Sequence, residues 1–441
     1  MMKHGVVLGA SIGGLLAARV LTEFCDRVTV VERDVLPGIG ANRRGVPQGR
    51  HGHALLPRGA QILEELFPGV LADLVAGGVP VVTDLAQVRF VVGGRLFSQR
   101  GEVAGDYAYV PSRPYLEGQV RARLRALPEI EIRERCEAVG LAVSEGRDAV
   151  TGVRVVPHGE AETTLPADLV VDATGRSGRG AEAWLPSLGY EPAPVERLTV
   201  DLKYVSQWLR FPPGVSWPEL LVLVGAVPDR PTGFATFEQE GGRRLLSGFG
   251  FGEHAPPSDL PGLLEFIRTL APPELCAVIR AATPLGEPAT QRYSGSLRRR
   301  YEWLRRFPRG LLVFGDAICS FNPTYGQGMT VAALEAVALR DCLAQGVDGL
   351  ARRFFRAAAR PVGLAWTIAY GQDLKLTGRA GEVPLSARAV NVFADRMLAA
   401  AQWDPVVAAQ FMRVNGFLEP PARLLRPAIL ARALAANLRR R

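Results

Sequence analysis

The stretch GVVLGASIGGLLAARVLTEFCDRVTVVE, residues 5–32, decides the fold class. Residues 5–9 and 27–32 are short apolar runs typical of buried strands, and residues 13–24 between them carry one apolar stripe at helical spacing. A strand, a helix and a second strand in this order predict an α/β protein that opens with a doubly wound parallel sheet of the Rossmann type.

The turn between the first strand and the helix contains Gly9, Ser11, Ile12, Gly13 and Gly14. In phosphate-binding turns of this kind, the first glycine allows the tight bend and the last lets the helix pack closely on the strand. The helix N-terminus then binds a pyrophosphate. Ser11 stands where a middle glycine is usual, and its hydroxyl offers a hydrogen bond to phosphate. Glu32 ends the second strand, where an acid binds ribose hydroxyls, so the pattern predicts a dinucleotide site. A packing turn with a solvated Glu32 is the alternative.

Antiparallel patterns interrupt the parallel-sheet segments. Short alternating strands are predicted within 79–100 and again from 190 to 295, whereas the strand at 310–316 returns to the buried parallel type. Everything after 346 has helical periodicity. We therefore expect a cofactor domain built from three segments, an inserted antiparallel-β substrate domain and a helical C-terminal region. The predicted ranges are 1–75, 105–180 and 296–345 for the first, 76–104 and 181–295 for the second, and 346–441 for the third.

A second glycine-rich segment, GDAICSFNPTYGQGMT at 315–330, follows the apolar strand and leads into a long helix. Gly326 and Gly328 allow backbone amides to approach a flat or anionic ligand closely. The helix N-terminus adds positive potential at the same place. A purely structural connection would not need this density of Gly, Pro, Asn and Asp.

The spacing of Gly315-Asp316, Pro323, Gly326 and Gly328 resembles the flavin-contacting motif of class A flavoprotein monooxygenases. This family includes aromatic hydroxylases, squalene epoxidase and the polyether-pathway epoxidases. Arg113-Pro114-Tyr115-Leu116 resembles the Arg-x-x-Leu element of the same family. Segments 43–56 and 321–336 are most similar to the polyether epoxidases.

The resemblance implies FAD as the cofactor. Asp316 would bind a ribityl hydroxyl, while Gly326, Gly328 and Met329 would face the isoalloxazine. Arg43 and Arg113 would contact the FAD, and the backbone near Ala138 would contact the adenine. The other residues implied at the cofactor are Gly9, Ser11, Ile12, Gly13, Gly14, Glu32, Arg33, Thr174, Gly175, Gly315, Pro323 and Gln327. No catalytic side chain and no metal ligand is assigned, since the flavin carries the chemistry.

Two motif positions differ from those of the aromatic hydroxylases. Ala173-Thr174-Gly175 stands where they have Ala-Asp-Gly, an aspartate implicated in nicotinamide binding, so electrons are expected from NAD(P)H directly or from a separate flavin reductase. Cys319 replaces their usual histidine, and we expect a small buried side chain rather than a nucleophile.

The histidines divide into two groups. His51 and His53 are expected either to contact the flavin or to hydrogen-bond within their loop. His4, His158 and His254 are expected at the surface or in loops.

The activity implied by the resemblance is oxygen transfer from O₂, through a flavin C4a-hydroperoxide, to a large apolar secondary metabolite. A base near the substrate helps hydroxylation of a phenol, whereas an alkene needs none. The predicted pocket segments offer only His254, Tyr190, Tyr204 and Tyr293, so we expect epoxidation of an alkene. The candidate pocket aromatics are Trp208, Trp217, Phe234, Phe237, Phe249 and Phe251.

Four other activities remain as alternatives: aromatic hydroxylation, an FAD-dependent oxidase or reductase, a non-redox cyclase that retains FAD, and a flavin halogenase. The halogenase is disfavoured because no lysine lies between Lys3 and Lys203, where such enzymes have a lysine in the first third of the chain.

Composition limits the partners. The 441 residues are 48% hydrophobic and 22% charged, as expected for a globular chain of two or three domains. The net charge of +8 comes from dispersed arginines without a nucleic-acid-binding motif, so no nucleic-acid partner is expected. Five cysteines without metal-ligand or CxxC spacing indicate a reducing cytoplasm. The tail 427–441 has an apolar stripe and a basic end, which indicates a docked helix or a weak contact with a membrane surface.

Overall fold

The computed structural model describes residues 1–101, 105–176, 180–379, 381 and 385–438. The strands are β1 (Met2–Leu8), β2 (Cys25–Val31), β3 (Val81–Val82), β4 (Val88–Val92), β5 (Arg95–Leu96), β6 (Ala108–Tyr109), β7 (Ile130–Arg133), β8 (Cys136–Val143), β9 (Val150–Pro157), β10 (Thr163–Pro166), β11 (Leu169–Asp172), β12 (Val195–Arg210), β13 (Leu221–Val224), β14 (Thr232–Gln239), β15 (Arg243–Phe251), β16 (Thr283–Pro284), β17 (Ala289–Arg299), β18 (Leu311–Val313) and β19 (Cys319–Ser320). The helices are α1 (Ile12–Leu21), α2 (Pro57–Leu66), α3 (Val70–Ala76), α4 (Arg113–Arg125), α5 (Ala181–Trp184), α6 (Leu260–Arg268), α7 (Pro273–Ala281), α8 (Gly328–Leu343), α9 (Leu350–Leu376), α10 (Leu385–Ala401), α11 (Pro405–Asn415) and α12 (Pro427–Leu438).

Five strands form a parallel sheet in the order β18-β11-β1-β2-β7. Val7 of β1 pairs with Val30 on one side and with Val171 on the other. β11 and β18 and most of β1 are buried, as expected for strands covered on both faces, and their sequences are apolar runs rather than alternating patterns. The chain adds β2 and β7 on one side of β1 and later adds β11 and β18 on the other. The strand order therefore reverses at β1, and in such sheets the ligand lies beyond the carboxyl ends of the strands at that reversal.

A second, larger sheet has the order β19-β17-β12-β15-β14-β13-β4-β5, with β16 paired to β12. Its neighbours are antiparallel except for β13 and β4. One face packs against α6 and α7 through a core that includes Val205, Phe234 and Leu246. The short strand β19 directly follows the Gly315–Ala317 turn, so the chain passes from the parallel sheet to the larger sheet at the second glycine-rich segment.

The C-terminal region is helical, as predicted. Helices α10, α11 and α12 share a core with Phe97 and Phe90 of the β4–β5 hairpin. None of the described helices is long and apolar enough to pass through a lipid bilayer. The expected α/β fold class is confirmed: a parallel sheet, antiparallel sheets and a helical C-terminal region are all present.

The sequence pattern also predicts one helix at about 57–76 and another near 260–280, and the backbone divides each of them. The helix expected at 57–76 is two helices, because Pro68 cannot donate a helical hydrogen bond and Gly69 adopts a positive φ of 82°. The helix expected near 260–280 ends before Pro272, and Pro273 begins the next one.

The prediction that His4 lies at the surface is wrong. Its side chain is buried beside β2, where one ring nitrogen lies 2.9 Å from Thr29 Oγ1 and the other 2.6 Å from the Pro166 carbonyl. Burial lowers the pKa of His4, so it is a neutral core residue whose polar atoms are satisfied.

Candidate functional site

The carboxyl ends of four parallel strands converge at one edge of the sheet. Gly9 follows β1, Glu32 follows β2, Thr174 follows β11 and Asp316 follows β18. The two glycine-rich segments, about 300 residues apart in the chain, therefore lie on one crevice. Gly13 and Phe314 are close enough that a Cβ on Gly13 would lie 3.6 Å from the phenylalanine ring.

The first turn depends on two glycines. Gly9 has a φ of 97°, in the region that glycine favours, and a Cβ there would lie 2.7 Å from the Ala173 carbonyl oxygen. A Cβ on Gly14 would lie only 1.8 Å from the Gly9 carbonyl oxygen. This close approach brings the N-terminus of α1 onto the strand end, with Ser11 at the N-cap and Ile12 as the first helical residue. The first amides of α1 have no helical partner, which suits an anionic group.

A cluster of buried charges stands beside this turn. Arg43 lies 3.1 Å from Glu32, 3.2 Å from Asp34 and 2.9 Å from Glu117. These carboxylates outweigh the effect of burial and raise the pKa of Arg43. Glu32 also accepts a hydrogen bond from the amide of Ala10, so it is held against the turn.

Arg113 is fixed by the same cluster. Its Nη2 donates to Ser11 Oγ at 2.8 Å, and its Nε lies 3.3 Å from Glu117. Glu117 therefore orients both Arg43 and Arg113, and the sequence analysis missed it. The signal was available, because Glu117 is four residues after Arg113 on one helix face.

Arg33 lies on the rim of a cleft of about 610 Å³ beyond the end of β2. Arg43, Arg135 and Glu137 also line this cleft. Ala138 is the next residue on β8, so the predicted adenine-contacting backbone borders the cleft. A cavity of this size falls within the range of small-molecule and cofactor sites.

The turn after β11 is held by Asp172, which the structure buries at the strand end. Its Oδ1 accepts from both the amide and the hydroxyl of Thr174, and its Oδ2 accepts from the amide of Ala181. Gly175 follows with a φ of 80°, and no atom of the described residues lies within 4 Å of the place where a Cβ would project. Thr174 is thus a turn residue bound to Asp172.

Asp316 occupies the end of β18. Its side chain is accessible from the crevice, although protein surrounds it on the other sides; this desolvation raises its pKa, and Arg113 and Arg176 oppose the rise. No group among the described residues hydrogen-bonds to this carboxylate. A lone carboxylate facing the crevice fits a ligand with hydroxyl groups, as a ribityl chain has.

The segment after Asp316 forms an open cradle. Pro323 starts a short 3-10 turn that ends at Gly326, where φ is 67°, and Met329 is buried in the first turn of α8. A Cβ added to Gly326 or to Gly328 would find no atom of the described chain within 4 Å. Between them, the buried Gln327 Oε1 has no hydrogen-bond donor among the described residues. The cradle, the orphaned acceptor and Asp316 together fit the flavin end of FAD.

A buried carboxylate that the sequence analysis missed holds this segment in place. Asp373 of α9 accepts from Tyr325 Oη at 2.7 Å and from Asn322 Nδ2 at 2.8 Å. Ser296 of β17 approaches its other oxygen at 3.4 Å. Burial raises the pKa of Asp373 to about 6. The helical C-terminal region thus fixes the cradle, and no local pattern around Asp373 indicated this contact.

Glu335 of α8 lies directly beneath the β18 turn. It is fully enclosed and accepts a hydrogen bond from the amide of Gly315 at 2.7 Å. Burial, assisted by the nearby Asp316, raises the pKa of Glu335 from 4.5 to about 8. Between these two values the folded state holds a proton that the unfolded chain has released. The stability that Glu335 contributes is therefore present at low pH and is lost as the pH rises through about 8.

We expect Glu335→Gln to remove this pH dependence, because the amide keeps the acceptor for Gly315 but does not titrate. The free energy of unfolding, measured by urea denaturation, should fall for the natural protein as the pH rises from about 6.5 to about 8, where Glu335 is protonated in the fold and ionised in the unfolded chain. Starting at about pH 6.5 limits the contribution of the histidines, whose pKa is 6.5 in the unfolded chain and lower in the fold. The variant should show a flat profile there. If the free energy of unfolding changes with pH in the same way in both proteins, Glu335 is already ionised in the folded state.

His51 connects its loop to the larger sheet. Its Nδ1 lies 2.8 Å from Ser206 Oγ, which in turn contacts Ser247 Oγ, and its ring packs edge-on against Tyr204 at 4.4 Å. Burial lowers the pKa of His51 to about 3. His53 stays within the loop: its Nδ1 lies 3.0 Å from the His51 carbonyl oxygen, and burial lowers its pKa to about 4. Both rings are therefore neutral, and the hydrogen bond of His53 is of the kind predicted for the loop.

The candidate pocket aromatics do not share one face. Phe234 is completely buried in the core beneath α6 and α7, and Trp217 packs against the same core. Phe249 and Phe251 belong to a core with Tyr204 on the face that His51 contacts. Phe237 is close enough to the loop that a Cβ on Gly52 would lie 2.2 Å from its ring.

Cys319 is a buried residue of β19, and burial raises the pKa of its thiol well above the ordinary value. A thiol that stays protonated is a poor nucleophile. The residue is therefore a small side chain in the core, as expected.

Comparisons with known proteins agree with this site. No family model matches the chain. Protein Rv3254 of Mycobacterium tuberculosis is 38% identical over 99% of this chain and 94% of its own length. Kynurenine 3-monooxygenase of Salinispora arenicola is 27% identical over 98% of this chain and 93% of its own length.

Solved structures share the fold at low identity. p-Nitrophenol 4-monooxygenase PnpA from Pseudomonas putida superposes with a TM-score of 0.65 at 18% identity, covering 93% of this chain and 97% of its own. The flavin-dependent brominase Bmp2 superposes with a TM-score of 0.68 at 13% identity over the whole of both chains.

The site and these relatives define the class. The chain belongs to the class A FAD-dependent monooxygenase family, and FAD is its cofactor. It is an enzyme, with the general activity of a flavin-dependent monooxygenase.

Proposed function

We propose that this monooxygenase epoxidises an alkene in a large apolar metabolite. The observation that carries the proposal is that His51, His53 and Tyr293, beside the cradle, are engaged in hydrogen bonds within the protein. With pKa values lowered to about 3 and about 4, His51 and His53 are very weak bases. Burial raises the pKa of Tyr293 to about 12 and that of Tyr204 further, so neither phenol relays a proton easily near neutral pH.

The other predicted base candidates lie elsewhere. Tyr190 belongs to the core of the parallel sheet, and its hydroxyl donates to the Arg147 carbonyl. His254 is half exposed at the far end of β15, next to Glu253. Hydroxylation of a phenol benefits from a base at the ring oxygen, whereas an alkene is itself the nucleophile. None of the histidines and tyrosines that the sequence offered as bases is therefore suited to accept a proton from a phenol, and this favours the alkene.

The chain's own residues would bind and orient the cofactor. The amides at the start of α1 would bind the pyrophosphate, Asp316 the ribityl chain, and the backbone of Gly326 and Gly328 the ring system. The amides at the start of α8 would stabilise negative charge on that ring system. Bound FAD would supply the redox chemistry by which two electrons from the reductant and one O₂ give one oxygen atom in the substrate and one molecule of water. Tyr204, Phe249 and the Phe237 ring would exclude water from that place.

We assign the substrate-binding role to the inserted segments 76–104 and 181–295, because their sheet meets the loop of His51 beside the cradle. Electrons would come from NAD(P)H, directly or through a separate reductase. We place the enzyme in the cytoplasm, where its five free, buried cysteines would stay reduced. The substrate-binding role and the source of electrons, like epoxidation, can be tested directly with purified protein.

The halogenase alternative receives no support from the lysines. Lys203 donates to the Pro256 carbonyl and to Ser258 Oγ, on the side of the sheet that faces α6. Lys375 lies 3.8 Å from Asp395. Lys3 belongs to β1, at the end of the strand opposite the Gly9 turn.

The test supplies the reduced enzyme with ¹⁸O₂ and either an apolar polyene or a phenol of similar size, with catalase present to remove free peroxide. We expect one ¹⁸O atom per product molecule, in an epoxide, from the polyene only. Ring-hydroxylated phenol with unchanged polyene would contradict epoxidation and leave the monooxygenase class intact. Dehydrogenated product without ¹⁸O would indicate the oxidase alternative.

A further inference from the structure

The last helix, α12, buries mainly small side chains and exposes its leucines. α12 buries Ile429, Ala433 and Ala436 against the rest of the C-terminal core. Its large leucines point the other way: Leu434 is 62% exposed and Leu438 is 58% exposed. An isolated surface helix normally buries its leucines and exposes its alanines. The sequence alone predicted one apolar stripe, and the structure shows that the small residues take the inner side.

The exposed leucines form a row. Leu430, Leu434 and Leu438 are spaced four residues apart and so lie on one face of α12. Leu425, in the short 3-10 turn just before the helix, is 55% exposed. We name these four residues, Leu425, Leu430, Leu434 and Leu438, the leucine face.

Charge around the leucine face has one sign. Residues 420–441 contain six arginines and no Asp or Glu. Arg423 and Arg426 are exposed beside Leu425. The nearest acid before this stretch, Glu419, is engaged by Gln410 and Arg413. Asp404, the other acid near α12, is paired with Arg432.

We propose that the leucine face binds an anionic lipid surface. Apolar side chains flanked by arginines are what an interfacial helix presents to acidic headgroups and the acyl boundary beneath them. A second copy of this chain is a poorer occupant. A twofold contact through the same face would bring the arginines of both copies together without an acidic partner. This proposal does not depend on the epoxidase assignment, although a lipid surface is where an apolar substrate would accumulate.

The test is co-sedimentation of the FAD-loaded, full-length protein with vesicles of phosphatidylcholine containing phosphatidylglycerol, compared with vesicles of phosphatidylcholine alone. We expect binding to the anionic vesicles only, and weaker binding as salt increases. The double variant Leu430→Glu/Leu434→Glu should lower the partition coefficient at least about tenfold. Val347→Glu is the matched control, since Val347 is similarly exposed but lies in the loop before α9. We expect this variant to bind the vesicles as strongly as the natural protein does. Flavin absorbance verifies that each variant is folded.

Arginine replacement provides an independent arm. Arg423→Gln and Arg426→Gln should each weaken binding about fivefold, in keeping with the attraction of one basic residue to an anionic membrane. The proposal is overturned if the natural protein does not bind anionic vesicles at low salt, or if the double glutamate variant binds them with an unchanged partition coefficient. It is also overturned if light scattering shows a dimer that Leu434→Glu dissociates, because the leucine face would then belong to a second copy.

Discussion

Gly14→Ala should yield protein without bound flavin and with much lower stability. The added methyl group would lie 1.8 Å from the Gly9 carbonyl oxygen, so α1 would have to move away from the end of β1. This movement would displace the N-terminal amides of α1 that form the proposed phosphate site. Overpacking of this kind costs about 1–3 kcal/mol, and more where backbone is struck. Absorbance of the purified protein measures the flavin, and urea denaturation measures the free energy of unfolding.

Gly13→Ala is the matched control, because its methyl group would make an ordinary 3.6 Å contact with Phe314. An alanine in a helix is favoured over glycine by about 1 kcal/mol, so this variant should be as stable as the natural protein or slightly more so. Equal stability of the two variants would mean that α1 does not pack on the Gly9 turn as described.

Asp316→Ala should weaken FAD binding without harming the fold. A hydrogen bond to a charged group contributes about 1.5–3 kcal/mol, which corresponds to a roughly 10- to 150-fold change in the dissociation constant. Because no described protein group depends on this carboxylate, the free energy of unfolding of the flavin-free protein should not decrease. Fluorescence titration with FAD and urea denaturation of the apo-protein separate the two effects.

Asp148→Ala controls for the loss of a carboxylate elsewhere, since Asp148 forms an exposed ion pair with Arg309. It should bind FAD normally. If Asp316→Ala also binds FAD normally, the ribityl assignment is wrong. If it unfolds instead, Asp316 supports the β18 turn rather than the ligand.

The parts of this molecule that the sequence predicted are those encoded locally. The Gly9 turn and the Gly315–Asp316 segment combine an apolar strand, a fixed glycine spacing and a following helix, all within a few residues. Each pattern has few structural solutions, and the parallel order of their strands places both at the same sheet edge. The same locality explains why the class A resemblance could be stated from these segments.

Apart from the Glu117–Arg113 pair, the contacts that the sequence did not predict join residues far apart in the chain. Asp373 meets Asn322 from 51 positions away, and His51 meets Ser206 from 155 positions away. Nothing in the sequence around Asp373 distinguishes it from a solvated helix residue. The leucines of α12 show the same limit, since helical periodicity reveals an apolar residue set but not which side the tertiary packing covers.

The fold by itself does not select the chemistry. A p-nitrophenol monooxygenase and a brominase superpose on this chain about equally well, at identities that establish only the shared architecture. The choice between epoxidation, hydroxylation and halogenation therefore depends on local features: the neutral His51, the protonated tyrosines and the positions of the three lysines. These are the residues on which the epoxidase proposal rests.

The most direct test of the central claim is the flavin content of the purified chain. Denaturing the protein and quantifying the released flavin should give one FAD per chain, free in solution and not attached to the polypeptide. The apo-protein should take up one equivalent again on titration. A colourless protein that binds no FAD would contradict the assignment of the Gly9 turn and the Gly315–Thr330 cradle to a single cofactor site.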